Sequence, residues 1–331
     1  MSVRPSTLAA PLVFALMALA PLVLDDWRLG ELSQFLAYGI LAMSLALIWG
    51  QAGLLCFGQA VFFGLGAYAM SLVTLGMLPG LTAVTSSWAG LAAAMVVPAV
   101  AANVVGRFLF YGRGLRGAYF GIATLAIAVV VERLFINWGF VGGLNGLMNV
   151  PPLDLGLAGW SYELWEPVPL YVAMLAAAAL VWLGLEAVVR SPFGSVLRAI
   201  AGSEERTAAF GYDTAGCKLS AFTLSAAVAG FAGALFSAQF AFVSPPLIGF
   251  ALSTEALIWV AVGGRGALIA AFLGAILVKS AEARLSEALG ASWLLALGLL
   301  FVACVVLLPR GVVGELLARL DGWWVRGRRD G

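Results

Sequence analysis

Apolar stretches of about 20 residues, the length of helix that crosses a bilayer core, follow one another through most of this chain. They leave few folds open. In lipid every backbone N–H and C=O must be satisfied within the protein, so only helices or closed barrels cross, and runs this long are helical. Spans are expected near 8–24, 33–49, 58–76, 87–106, 118–138, 168–189, 217–241, 250–263, 266–284 and 291–308. The expected class is all-α: a polytopic integral membrane protein with about ten transmembrane helices. Two of these segments stand apart. The stretch 250–263 is short and carries Glu255, and 51–76 is glycine-rich enough to hold a half-helix or re-entrant turn before its span. The first segment lacks the basic cluster and A-x-A site of a cleaved leader and reads as an anchor span.

Composition closes several other routes. Hydrophobic residues make up 63% of the chain and charged ones 11%, which excludes an ordinary soluble domain. A net charge of +1 gives no case for nucleic acid. Histidine is absent, and Cys56, Cys217 and Cys304 are too scattered for a zinc site or a disulfide framework. No metal or other cofactor is expected. A phosphate-cradling loop needs G-x-x-x-x-G-K-[ST], but the two lysines, Lys218 and Lys279, follow Cys217 and Val278. Any ATP hydrolysis belongs to a separate chain, and this one is not expected to be an enzyme.

Basic residues set the orientation, because they are retained on the cytoplasmic side. With the N-terminus inside, all but Arg28, Arg133, Lys279 and Arg284 of the 18 basic residues fall on inner segments. Those four are expected to lie outside or near outer helix ends, where long side chains snorkel to the interface. Both termini are then cytoplasmic. The longest external loop becomes 139–167, which has no basic residue, carries Asp154, Glu163 and Glu166, and holds Trp160 and Trp165 as interface anchors. Its Gly142–Gly143–Leu144–Asn145–Gly146 run is too flexible for a regular helix. The boundaries expected are one transmembrane domain over 1–320 and a basic cytoplasmic tail, 321–331, in which Arg326, Arg328 and Arg329 lie beside Trp323 and Trp324 on the inner leaflet.

One long polar interruption remains in the second half, Arg190 to Lys218. Ser191 before Pro192 is a helix-start signal, Gly202 a break, Ser203–Glu204–Glu205 a second cap with acids in the first turn, and Gly211 a stop. Two short helices follow. Val196, Leu197 and Ile200 would form an apolar ridge, and Arg198, Glu204, Glu205 and Arg206 would offer charge, as on a docking handle for another protein. The plainer reading is a surface loop between two spans.

Within the spans, Gln51 and Gln59 each need a polar partner or a polar path, whereas the glycines around them read as helix packing. Glu255 costs on the order of 3 kcal/mol in hydrocarbon unless paired or hydrated. Its nearness to the outer boundary favours an acid facing external headgroups; the other reading is a hydrogen-bonding group on a translocation path. Glu132 and Arg133 are adjacent and point to different helix faces, so they do not pair.

These stretches together resemble a known family. Gly50 to Tyr68 is similar to the signature G-x-x-G-x-x-x-x-G-(H/Q)-A-x-F-F-G-x-G-A-Y of ATP-binding-cassette import permeases for branched-chain amino acids, urea and short amides, with Gln59 where histidine is usual. The Gly-Gly-x-x-Gly-Leu loop, the SPFG turn with Arg198–Ala199–Ile200 and Ser203–Glu204–Glu205, and the Gly263–Gly266 turn after Glu255 follow in the same order.

The resemblance implies a permease subunit of a binding-protein-dependent importer in a bacterial inner membrane. Its partners would be cytoplasmic ATP-binding subunits, a second homologous permease and an external solute-binding protein. Residues 190–218 would be the coupling segment that meets the ATPase through Arg198, Ala199, Ser203, Glu204, Glu205, Arg206 and Gly211. Gln51, Gln59, Asn145 and Glu255 would lie on the translocation path. The Trp259–Gly266 variant and Gly211–Tyr212 look more like the urea or short-amide members, with branched-chain amino acids as the alternative solute. Two other classes stay open: a secondary transporter, which would need paired ionisable groups at mid-membrane, and a membrane transferase, which would need an acid cluster or a catalytic histidine.

Overall fold

The computed structural model describes residues 5–78, 85–111, 117–156, 162–289, 292, 295, 298–299 and 311–316. Helices lie at each of the first nine expected spans, and the tenth, 291–308, falls almost wholly outside the described residues. So do the tail 321–331 and Arg4, Arg113, Arg116, Trp160, Cys304, Arg310 and Arg319.

In order, the helices are α1 (Pro5–Ala18), α2 (Asp26–Ala46), α3 (Gln59–Thr74), α4 (Ser87–Tyr111), α5 (Ala118–Asn137) and α6 (Pro167–Arg190). Two short ones follow, α7 (Pro192–Gly202) and α8 (Glu204–Ala209), then α9 (Thr214–Phe240), α10 (Phe250–Gly263) and α11 (Leu268–Leu289).

An all-round apolar helix belongs in the middle of such a bundle, and α2 takes that place. The best spanning window of α2 is 83% buried, against 28% for each of α4, α5 and α6, which form the rim. Helices α3 and α9 complete the centre. They approach closely because Gly66 of α3 faces the backbone of Gly230 of α9, and Gly233 of α9 faces the Phe63 carbonyl, so that a Cβ at either position would strike main chain. Helices α10 and α11 pack on the other side of α2, where Gly263 and Gly274 give the same close approach. Tyr171 ties α6 to α1 by donating to the Met17 carbonyl at 2.8 Å.

The glycine-rich run before α3 is broken, as its composition predicts. Helix α2 ends in a π turn, Leu47–Gln51, and 52–58 is non-helical before α3 begins. Irregular backbone at membrane depth survives only where protein satisfies it. Here Phe57 N–H donates to Thr124 Oγ1 of α5 at 3.1 Å, and Ala60 N–H to Ser253 Oγ of α10 at 3.0 Å.

On the opposite face, the loop after α5 folds into 3-10 turns at Gly139–Val141 and Gly143–Asn145. Gly142, Gly143 and Gly146 have φ of +82°, +55° and +71°, values that glycine adopts freely. Leu147–Met148 (β1) then pairs antiparallel with Phe242–Val243 (β2), which fastens this loop to the end of α9.

Candidate functional site

Three polar clusters interrupt the apolar bundle. The first is built on α7 and α8. Ser191 Oγ accepts from Gly194 N–H at 3.4 Å and Ser203 Oγ accepts from Arg206 N–H at 3.4 Å, so both short helices start at capped serines. Gly211 (φ +88°) turns the chain after α8, and Asp213 caps α9 by accepting from Gly216 N–H at 3.0 Å. The expected outward ridge is corrected here: Leu197 and Ile200 are buried against the bundle and Val196 is half-buried. An amphipathic helix lying on a bundle satisfies its own protein first, so the apolar stripe is spent inward.

Charge behaves similarly. Glu204 is turned in, not outward, and takes the ammonium of Lys218 at 2.5 Å; Lys218 is buried and stands 5.3 Å from the centre of the Phe110 ring. Arg198 folds back on the body, donating to Val189 O at 2.9 Å, Gln51 Oε1 at 3.2 Å and Ser195 Oγ at 3.2 Å. Next to it, Ala201 packs against Gly53. Gln51 is thus drawn to α7 and the irregular 52–58 stretch. Among what α7–α8 leaves open to solvent are Ala199, Ala201, Glu205, Arg206 and, at the tip, Phe210 and Tyr212, which are 83% and 53% exposed. These two aromatics were missed as surface features. The signal was present: large apolar side chains on either side of a turn glycine in a polar segment have no core to enter.

The second cluster surrounds Gln59, fully buried at the start of α3. Its Nε2 donates to Ser44 Oγ of α2 and Ser225 Oγ of α9, each at 2.9 Å, and Ser225 Oγ donates on to Ser44 O at 2.6 Å. Gln59 Oε1 has no hydrogen-bond partner. Ser225 lies roughly 17 Å along α9 from Thr214 at 1.5 Å per residue, so this knot joins the three central helices at mid-depth.

The third cluster lies between α2, α10 and α11. Lys279 donates to Glu255 Oε2 at 2.9 Å and to Glu282 Oε2 at 2.8 Å, and its ammonium is 5.1 Å from the Tyr38 ring centre and 5.4 Å from that of Trp259. Helix α11 starts next to the end of α2, where Arg265 stands 5.9 Å from the Trp49 ring, so Lys279 is also roughly 17 Å deep from that side. The expectation that Lys279 snorkels outward is corrected: aromatic walls and two carboxylates hold it inside. Glu255 likewise does not simply face headgroups, since it has an ion-pair partner on the next helix. Asn145 is exposed in the loop on the opposite face from α7 and stands apart from both inner clusters. Among the described residues no group of three potential metal ligands occurs.

An apolar groove of about 660 Å³ opens between α4, α6 and α9, lined by residues such as Trp88, Met95, Leu180, Val228 and Phe231. It offers nothing to orient a polar solute, and the polar clusters lie elsewhere.

Comparison with known proteins adds identity to this geometry. The model of the family described as branched-chain amino acid transport system / permease component matches residues 28–308. The chain is 33% identical to the high-affinity branched-chain amino acid transport system permease protein LivM of Escherichia coli (strain K12) over 296 residues, 83% of this chain and 67% of that protein. LivM of Salmonella typhimurium is similar to the same extent. The LivH permease of the Escherichia coli system is 24% identical over 290 residues, 84% of this chain and 91% of that one. No solved structure matches.

Proposed function

The chain belongs to the branched-chain amino acid transport system permease family, and on that premise we propose that it is the permease subunit of an ATP-driven, binding-protein-dependent importer of branched-chain amino acids. Membership makes it a multi-pass membrane transporter subunit, not an enzyme. The observation that carries the solute is the likeness to relatives named for branched-chain amino acids over 83% of the chain. Urea or a short amide, favoured by the Trp259–Gly266 variant and Gly211–Tyr212, has no such support.

In this reading residues 1–320 form one transmembrane domain, with both termini and the tail 321–331 in the cytoplasm of a bacterial inner-membrane protein. The cytoplasmic ATP-binding subunits dock on residues 190–218, near Arg198, Ala199, Ser203, Glu204, Glu205, Arg206 and Gly211. Glu205, Arg206, Phe210 and Tyr212, all exposed, make the contact; Ser203 and Glu204 hold the segment in shape through the α8 cap and the Lys218 ion pair. Closure of the ATPases moves α7. That movement passes through Arg198 to Gln51 and through Ala201 to Gly53, and so into the irregular 52–58 stretch and α3. Glu255 and Asn145 lie along the route between this subunit and a second, homologous permease, to which an external solute-binding protein delivers its cargo; Gln59, fully buried, holds the three central helices behind that route.

The test is reconstitution of the chain with its ATPase, second permease and binding protein in vesicles. ATP-dependent accumulation of radiolabelled leucine, with no uptake of urea, is the expected result. Urea uptake without leucine uptake would overturn the solute, and full-rate transport by this chain alone would overturn the mechanism.

A further inference from the structure

The Lys279 cluster has an imbalance that its hydrogen bonds do not resolve. One ammonium faces two carboxylates, so the group carries a net negative charge near mid-membrane, where an uncompensated charge is costly. Oε1 of Glu255 and Oε1 of Glu282 accept no hydrogen bond among the described residues, and one N–H of the Lys279 ammonium is unspent. Tyr38 is buried, accepts from Gln34 Nε2 at 3.3 Å, and has its own hydroxyl proton still to give. The cluster is not sealed: the Glu255 side chain is 33% exposed and that of Glu282 20%. On α10 the residues left open after Phe250, namely Ala251, Thr254, Glu255, Ile258 and Ala261, recur at helical spacing, so Glu255 opens onto one continuous face with the Thr254 hydroxyl beside it and aliphatic side chains along the rest.

We propose that Lys279, Glu255, Glu282, Tyr38 and Trp259 form a transient binding site for the zwitterionic head of an α-amino acid on its way through the permease. This rests on the importer reading above and adds the residues that recognise the cargo. The free carboxylate oxygens take the ammonium. The unspent Lys279 N–H and the Tyr38 hydroxyl take the carboxylate, and half-buried Ile258 on the open face of α10 receives the aliphatic side chain, while the buried Trp259 ring backs the Lys279 ammonium. Urea carries neither an ammonium nor a carboxylate and can form neither ion pair.

The test uses the whole transporter in vesicles, with leucine as the probe. Glu282→Gln keeps the Lys279–Glu255 pair and removes the surplus charge, so a merely structural cluster would tolerate it or gain stability. For a binding site, leucine uptake is expected to fall at least tenfold while melting temperature and co-purification of the second permease stay unchanged. Uptake within twofold of the parent overturns the site. So does loss of the second permease, which would make Glu282 an interface residue. A second variant exchanges the charges, Glu255→Lys with Lys279→Glu. A structural ion pair would be restored and uptake with it, which also overturns the site; a cargo site has its polarity reversed and stays inactive with its stability regained. Failure of the importer reading is distinguishable, because the parent complex itself would then accumulate no leucine.

Discussion

Lys218, near the start of α9, reaches Glu204 beneath the α7–α8 pair, whereas Lys279, halfway along α11, reaches both Glu255 and Glu282 between two aromatic rings. Lys218 is buried and Lys279 half-buried, each beside an aromatic face, and each clamps one helix to another. They differ in charge balance and in depth. The shallow pair cancels and fixes the shape of a surface element, so its surroundings can be finished within this chain. The deep cluster keeps a negative excess and unspent carboxylate oxygens on a partly open face, where the proposed cargo would bind. Balanced charge in a membrane protein marks a joint; unbalanced charge marks a place that expects a visitor.

The sharpest way to break this contrast is to remove each ammonium. Lys279→Met leaves two uncompensated carboxylates at mid-depth, and a destabilisation of about 3–5 kcal/mol is expected, read as a large drop in melting temperature in detergent. Lys218→Met is expected to cost less, about 1–3 kcal/mol, because Glu204 lies where water can reach it. Equal losses would erase the distinction in depth. Within the shallow site, Ser203→Ala removes the α8 cap at a cost of about 1 kcal/mol, and hydrogen exchange should quicken in α8 while α11 is unaffected. The smallest effect on stability, within about 0.5 kcal/mol, is expected for Phe210→Ser, since the ring touches solvent. Co-purification of the ATPase should nevertheless fall sharply for that variant; retention would move the docking surface elsewhere.

Much of the bundle could be read ahead of the structure because the physics of each span is local. Twenty apolar residues are helical in lipid wherever they occur, and the capping serines Ser191 and Ser203 act within four residues of themselves. Even the break before α3 was written locally, in glycines. What a sequence hides is which face of a helix turns inward. Leu197 and Ile200 look the same whether they meet an ATPase or α7's own protein, and here they are buried in the bundle. Glu204 and Lys218 are 14 residues apart, and Tyr38, Glu255 and Lys279 are farther, so only the Lys279–Glu282 pair, three residues apart on one helix, has a spacing to recognise. Gln59 shows the intermediate case: an amide in an apolar span announces a need for partners, but only the fold reveals that Ser44 and Ser225 meet it.

The two lysines also give the molecule a built-in reporter. They are its complete set of side-chain primary amines, and both are held in ion pairs, one with its side chain 3% exposed and the other 13%. An acylating reagent applied to the resting subunit should therefore modify neither quickly. Any acceleration during turnover, assigned to one site or the other by mass spectrometry, would reveal which clasp parts as the transporter works and at which stage of the cycle it does so.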